Sequence, residues 1–216
     1  MSGHLSHPAS SLEPPGPKAT TRRANPGFYA RRGKRLLDIV LSFFALLLAL
    51  PLLALVAAAV KLTSPGAVLF RQERVGKNGK LFRILKFRSM CADAESAGLP
   101  LTSGGDKRIT RVGAVIRKTK LDELPQLWNV LRGEMSLVGP RPIVEEEVAA
   151  YGRNFSLYCR VTPGLTGLWQ VSGRNEVSLC DRVHLDSYYV RNWSPWLDLH
   201  ILARTAKVVF TGQGAY

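Results

Sequence analysis

The apolar positions of this chain are distributed unevenly, and one run dominates the first third. Residues 39–60 carry no charged side chain, while the residues just before them are strongly basic. Wound as one helix at 1.5 Å per residue, the run reaches about 33 Å, enough for a hydrocarbon core of about 30 Å. A buried helix of a soluble domain is a poor fit to that length, so the pattern predicts a membrane-inserted helix over 31–61. Pro51 falls in its middle, where it removes one backbone hydrogen bond and kinks the helix. Arg31, Arg32, Lys34 and Arg35 precede the run, and Lys61, Arg71, Arg74 and Lys77 follow it. Basic loops favour the cytoplasm, so flanks of equal sign give no direction of crossing. A helix broken at Pro51 that enters and leaves by one face satisfies both flanks. A plain span, in which proline is tolerated, satisfies the length equally well.

Beyond Lys61 the pattern becomes that of a mixed α/β, helix-rich domain over 62–216. Residues 67–72 read as a strand, Asn78-Gly79 as a tight turn and 81–88 as a second strand, which together predict a small β-hairpin. In the second strand Phe82, Ile84 and Phe87 are interleaved with Arg83, Lys86 and Arg88, giving one side a basic character. Ile109, Val112, Val115 and Ile116 recur at helical spacing, as do Leu124, Leu127, Trp128 and Leu131, after which Gly133 is a suitable stop. Glu145-Glu146-Glu147 has the acidity of a first helical turn. Near the end, Trp193 and Trp196 precede a periodic apolar face through Leu197, Ile201, Leu202, Thr205 and Val208. Such a helix suits a membrane interface, or ordinary core packing.

Composition alters this picture in three places. Residues 1–30 are rich in Ser, Pro, Gly and Arg, with few large apolar side chains, and are expected to be a disordered tail. The apolar run begins too late, and is too long, for a secretory signal. Thirty Lys and Arg against sixteen Asp and Glu give a formal charge of +14, which calls for an anionic partner such as nucleic acid, an acidic membrane or a phosphorylated substrate. The basic residues spread over the chain and no nucleic-acid motif accompanies them, so nucleic acid is disfavoured. The three cysteines lack the C-x-x-C spacing of a zinc site and read as reduced thiols. Walker loops, dinucleotide fingerprints and nucleophile elbows are absent, and the four histidines do not cluster.

The chemistry must then rest on carboxylates and basic residues. Asp122 and Glu123 stand at the start of an expected helix, with Pro125 close behind in the first turn. The positive end of a helix dipole favours an ionised Asp that can bind a cation or attack phosphorus. Helix capping is the commoner use of such a residue. Arg141, between Pro140 and Pro142, has a backbone restricted by both rings and a fork suited to phosphate oxygens. The same tripeptide also describes a surface turn.

Several motifs in one order decide between these uses: Lys34-Arg35-Leu36-Leu37-Asp38, Phe70-Arg71-Gln72-Glu73-Arg74-Val75-Gly76, Lys86-Phe87-Arg88-Ser89-Met90 and the stretch 121–142. Two more follow, at 160–175 and at Asp186-Ser187-Tyr188-Tyr189-Val190. Over 31–216 the chain resembles the bacterial sugar transferases, monotopic polyprenyl-phosphate phosphoglycosyl transferases, and most of all the short exopolysaccharide-initiating type. The resemblance implies transfer of a sugar-1-phosphate from a UDP-sugar, with galactose or glucose favoured, to undecaprenyl phosphate with release of UMP. It implies Asp122 as the nucleophile that forms a covalent phosphosugar intermediate, Glu123 as its partner, and Mg²⁺ held at Asp122. Lys86, Arg88 and Arg141 are implied phosphate-binding residues, and Arg160 and Arg174 would help to bind the donor. It also implies a re-entrant helix in the bacterial inner membrane, with tail and catalytic domain cytoplasmic, amphipathic interfacial helices, inner-membrane lipids as partners and a homodimer among the possible assemblies. Members break the membrane helix at a Ser-Pro pair, which is Leu50-Pro51 here. The alternative is a membrane scaffold of a polysaccharide assembly complex that kept the fold without catalysis. Such a scaffold needs none of the acidic and basic residues that this chain retains.

Overall fold

A computed structural model describes residues 32–91, 106, 108–173 and 178–211. The expected tail at 1–30 and Arg174 lie outside these residues. The charged turn and the apolar run fold together as one helix, α1 (Lys34–Thr63). Pro51 lies inside it without interrupting the helical structure, so the expected break is not a gap in the helix. A proline costs one amide donor and crowds one carbonyl, and a helix can absorb that by bending.

The buried positions of α1 are Lys34, Asp38 and Ser42 near its start and Val56 and Val60 near its end. Four-residue steps place each group on one face. Most of the remaining surface is apolar and exposed, including Leu37, Val40, Phe44, Leu48 and Leu55. Both ends of the buried stripe meet the rest of the protein. At the first, Lys34 Nζ donates to Asp198 Oδ2 at 2.7 Å, and Arg35 donates to the carbonyls of Val130 and Leu131 at 2.5 and 2.7 Å. Asp38 Oδ1 accepts from Leu137 N at 3.0 Å. At the other end, Val56 and Val60 pack with Phe87 and Ile116.

The hairpin forms as expected. Strands β1 (Leu69–Val75) and β2 (Leu81–Phe87) pair antiparallel, with Gln72 opposite Ile84. Asn78 at φ 58° and Gly79 at φ 71° make the turn, a conformation that Asn and Gly adopt at small cost. The first strand runs three residues beyond its expected end. Helix α2 (Arg111–Lys118) follows, its start capped by Thr110, whose hydroxyl accepts from Gly113 N. Helix α3 (Gln126–Arg132) ends where expected, at Gly133 with φ 85°.

The remaining elements are short until the C-terminal pair. Strands β3 (Ser136–Val138) and β4 (Gly164–Thr166) form a parallel pair that the sequence pattern did not announce. Three residues are too few to display a period. Between them lie α4 (Val148–Tyr151) and α5 (Phe155–Tyr158), the former preceded by a 3-10 turn over Glu145–Glu147. Helices α6 (Leu179–Asn192) and α7 (Pro195–Thr211) are the last of the described elements. Ile201 of α7 is buried with Val138 and Tyr189, and partly buried Trp193 packs against them, whereas Trp196 is 79% exposed. The two tryptophans therefore divide between core and surface.

Candidate active site

Asp122 and Glu123 lie in a 3-10 turn, Leu121–Glu123, entered through Lys120 in the left-handed region at φ 60°. Helix α3 begins only at Gln126, and no side chain caps either start. Capping is thus not what occupies Asp122.

The two carboxylates have different surroundings. Glu123 Oε1 accepts from Lys86 Nζ at 2.9 Å and from an Arg141 guanidinium nitrogen at 3.3 Å. Burial pushes this carboxyl up, but Arg141 and Lys86 outweigh it and hold Glu123 well below the usual carboxylate range. Asp122 Oδ1 is buried and meets no hydrogen-bond donor. Burial first, then the Glu123 charge, raise its pKa against the opposing pull of Lys86 and Lys120. The sequence led us to expect a helix dipole holding Asp122 ionised; the structure replaces it with desolvation. Lys86 is itself lowered, because burial outweighs the pull of Glu123.

Three elements build this arrangement. Lys86 comes from β2, whose position is fixed by Asn129 of α3. Asn129 Oδ1 accepts from Leu85 N at 3.0 Å, and its Nδ2 donates to Arg83 O at 2.8 Å, imitating a neighbouring strand. Arg141 comes from the turn after β3, which is clamped on both sides of the arginine. Gly139 N donates to Thr166 O at 2.9 Å, Gly164 N to Pro140 O at 2.7 Å, and Arg74 to Pro142 O at 3.1 Å. A side chain on Gly164 would strike the Gly139 backbone, so the approach of β4 requires glycine. Asn129 and Arg74 were not among the expected site residues. A buried Asn on an otherwise apolar helical face was the available signal for the first.

The other expected residues lie elsewhere. Arg88 donates to the carbonyls of Ser64 and Pro65, both at 2.7 Å, and to Ser64 Oγ at 2.8 Å. It closes the C-terminus of α1 instead of facing the dyad, because β2 ends at Phe87 and the chain turns away. Arg160 is exposed on the turn after α5 and is not one of the cations that meet Glu123. Among the described residues, no group of three or more His, Cys, Asp or Glu converges to hold a metal. Mg²⁺ often takes only one or two carboxylates, with water and substrate phosphate supplying the rest. The unpartnered Asp122 oxygen fits such a ligand, whereas Glu123 is committed to its two cations.

A carboxylate oxygen without a donor, beside an anchored carboxylate and two cations, defines a site suited to phosphoryl groups. The family model described as "Bacterial sugar transferase" matches residues 29–212, and the chain belongs to that family. It is 47% identical over 199 residues to the undecaprenyl-phosphate galactose phosphotransferase of Salmonella typhimurium, covering 85% of this chain and 41% of that protein. It is 39% identical over 225 residues to the exopolysaccharide production protein ExoY of Sinorhizobium fredii, covering 92% and 100%. Against the UDP-glucose:undecaprenyl-phosphate glucose-1-phosphate transferase of Caulobacter vibrioides it is 44% identical over 191 residues, covering 85% and 72%. The chain thus spans about two-fifths of the longer relatives and the whole of the Sinorhizobium protein.

Proposed function

We propose that the protein transfers a sugar-1-phosphate from a UDP-sugar to undecaprenyl phosphate and releases UMP, the first membrane step of exopolysaccharide or related glycan assembly. The unpartnered, buried oxygen of Asp122 beside the cation-anchored Glu123 carries this reading. Asp122 attacks the sugar-bearing phosphorus of the donor. The phosphoanhydride bond breaks, UMP leaves with the bond's electron pair, and the sugar phosphate stays on Asp122 as an acyl phosphate. An oxygen of undecaprenyl phosphate then attacks the same phosphorus and frees the carboxylate. Two steps spare the site from holding two anionic substrates at once.

Lys86 and Arg141 offset the negative charge that develops on the phosphoryl oxygens, in a setting where water screens them little. Their bond to Glu123 keeps both in place before substrate arrives, so they need not reorganise during reaction. When bound, Mg²⁺ at Asp122 would neutralise diphosphate charge and ease departure of UMP.

The protein sits in the bacterial inner membrane, with its catalytic domain on the cytoplasmic face. Support comes from α1, whose two ends both dock on one domain while its remaining faces expose apolar side chains. A helix entering and leaving by the same face accounts for both. The partners on this reading are the UDP-sugar, undecaprenyl phosphate and membrane lipid.

The decisive variant is purified Asp122→Asn, assayed for UMP release from UDP-galactose, UDP-glucose and UDP-N-acetylgalactosamine with Mg²⁺ and undecaprenyl phosphate. Wild type should turn over at least one donor, and the variant should lose at least about 10³-fold of that rate. A variant near wild-type activity would remove Asp122 from the mechanism.

A further inference from the structure

The first sequence motif ends in Asp38, a residue that the reaction as described does not use. Asp38 lies on the membrane helix and is 5% exposed. Its partner is the strand that leads to Arg141. β3 pairs with β4 alone, Ser136 opposite Gly164 and Val138 opposite Thr166. Leu137 falls between these pairs, so its amide is left to the open edge of β3, where a buried donor needs an acceptor. No third strand supplies one among the described residues. Leu137 N instead donates to Asp38 Oδ1 at 3.0 Å.

A second route joins the same helix to the same strand. The Tyr189 hydroxyl of α6 shares its hydrogen between Val138 O, at 3.1 Å, and Asp198 Oδ1 of α7, at 2.7 Å. Asp198 Oδ2 accepts from Lys34 Nζ at 2.7 Å, and Lys34 stands one turn before Asp38 on the buried face of α1. From β3 the chain passes through Gly139 and Pro140 to Arg141, whose guanidinium meets Glu123 Oε1 at 3.3 Å. The clamps on this turn tie it to β4 and to Arg74 of β1. They do not tie the strand pair to α1. Leu137 and Leu165 pack against Ile84, Val130 and Met135, but apolar contact has no direction. A hydrogen bond sets one amide opposite one oxygen.

We propose that Asp38 is a positioning residue that acts through Arg141: by accepting from Leu137 N, it sets the place of β3 and so of the arginine four residues further on. The inference rests on the phosphoryl-transfer reading above. The membrane helix then does more than anchor the protein. It stands in for the strand that β3 lacks, and the site is complete only while α1 is docked.

The experiment follows UMP release by full-length protein in nanodiscs, with Mg²⁺, undecaprenyl phosphate and UDP-galactose, UDP-glucose or UDP-N-acetylgalactosamine. Asp38→Ala should lower kcat/KM about 10- to 100-fold, the effect of a displacement near 1 Å at a reacting centre. Asp38→Asn keeps an oxygen for Leu137 N and should recover the rate to within about threefold of wild type. If Asp38→Asn is as slow as Asp38→Ala, charge and not this bond matters, and the proposal is overturned. A double-mutant cycle separates positioning from mere structure. On an Arg141→Gln background Asp38→Ala should cost no more than about twofold, because the group it positions is gone. A structural Asp38 would cost the same factor on both backgrounds, and equal factors overturn the proposal.

Hydrogen exchange resolved by residue gives a readout independent of turnover and of the variants. If the wild type turns over no UDP-sugar, the phosphoryl-transfer reading fails and exchange alone judges the placement of β3. In the wild type the Leu137 amide should exchange at least about 100-fold more slowly than a free amide. Exchange at the free rate overturns the proposal even if Asp38→Ala does not fold. In folded Asp38→Ala, exchange at both Leu137 and Gly139 should quicken about tenfold. A Gly139 amide that does not respond would show that the disturbance stops short of Arg141, which overturns it equally.

Discussion

At Glu123, one carboxylate oxygen meets Lys86 and Arg141; at Asp122, one residue earlier in the chain, Oδ1 meets no donor. The division matches the work each would do, since a nucleophile needs an uncommitted lone pair and an anchor needs committed ones. Desolvation also gives Asp122 a raised pKa. Its ionised form is therefore lost at a higher pH than for an ordinary Asp as the solution is acidified. The burst of UMP released by one turnover, followed against pH without acceptor, should show an acidic limb displaced upward accordingly. Arg141→Lys tests the geometry of the fork. It keeps the charge but loses the planar donor pair, and kcat/KM should fall about 10- to 100-fold with folding retained. The dyad, Lys86 and Arg141 were legible in the sequence because charged residues inside ordered motifs have few other uses. Arg88 shares a motif with Lys86, but the structure holds its guanidinium on Ser64 and Pro65, and nothing in the letters marks where a strand stops.

Between elements, α1 serves the site as well as the membrane. Arg35 donates to two carbonyls at the C-terminal end of α3, and α3 follows directly from the dyad turn. Val130 O also accepts from Gly133 N at 3.0 Å, so the arginine reinforces the last turn of the helix. Arg35→Ala should lower unfolding free energy by about 1–3 kcal/mol, seen as a lower Tm in detergent. Its effect on transfer should appear mainly in kcat, because the dyad would be less well held while Arg141 stays clamped. The hairpin was readable from its Asn-Gly turn, and α3 from its apolar spacing and closing glycine. The β3–β4 pair was not, because its strands are held mainly by neighbours. Asp38 and Pro163 supply partners that no local pattern could announce: Leu137 N donates to Asp38 Oδ1, and Ser136 N to Pro163 O.

Over the whole molecule, the charge of +14 and the long apolar helix belong to one arrangement. Sequence located the membrane segment and its basic flanks, but could not say that several flanking charges face inward. Lys34 joins Asp198, and Asp38 receives Leu137 N, so part of the expected basic collar is domain contact. Topology is checked with single cysteines placed at Ser11 and Gln213 in a variant lacking the native thiols. Under re-entry, both should react with an impermeant maleimide only after the cytoplasmic side of the membrane is opened. Reaction of one site from outside would establish a plain span. The docking of α1 at both ends also bears on the membrane itself. A helix that returns to the face it entered adds cross-sectional area to one leaflet and little to the other. On the proposed re-entry every copy inserted is a small wedge, and its membrane affinity should depend on how tightly the lipids of that leaflet are already packed.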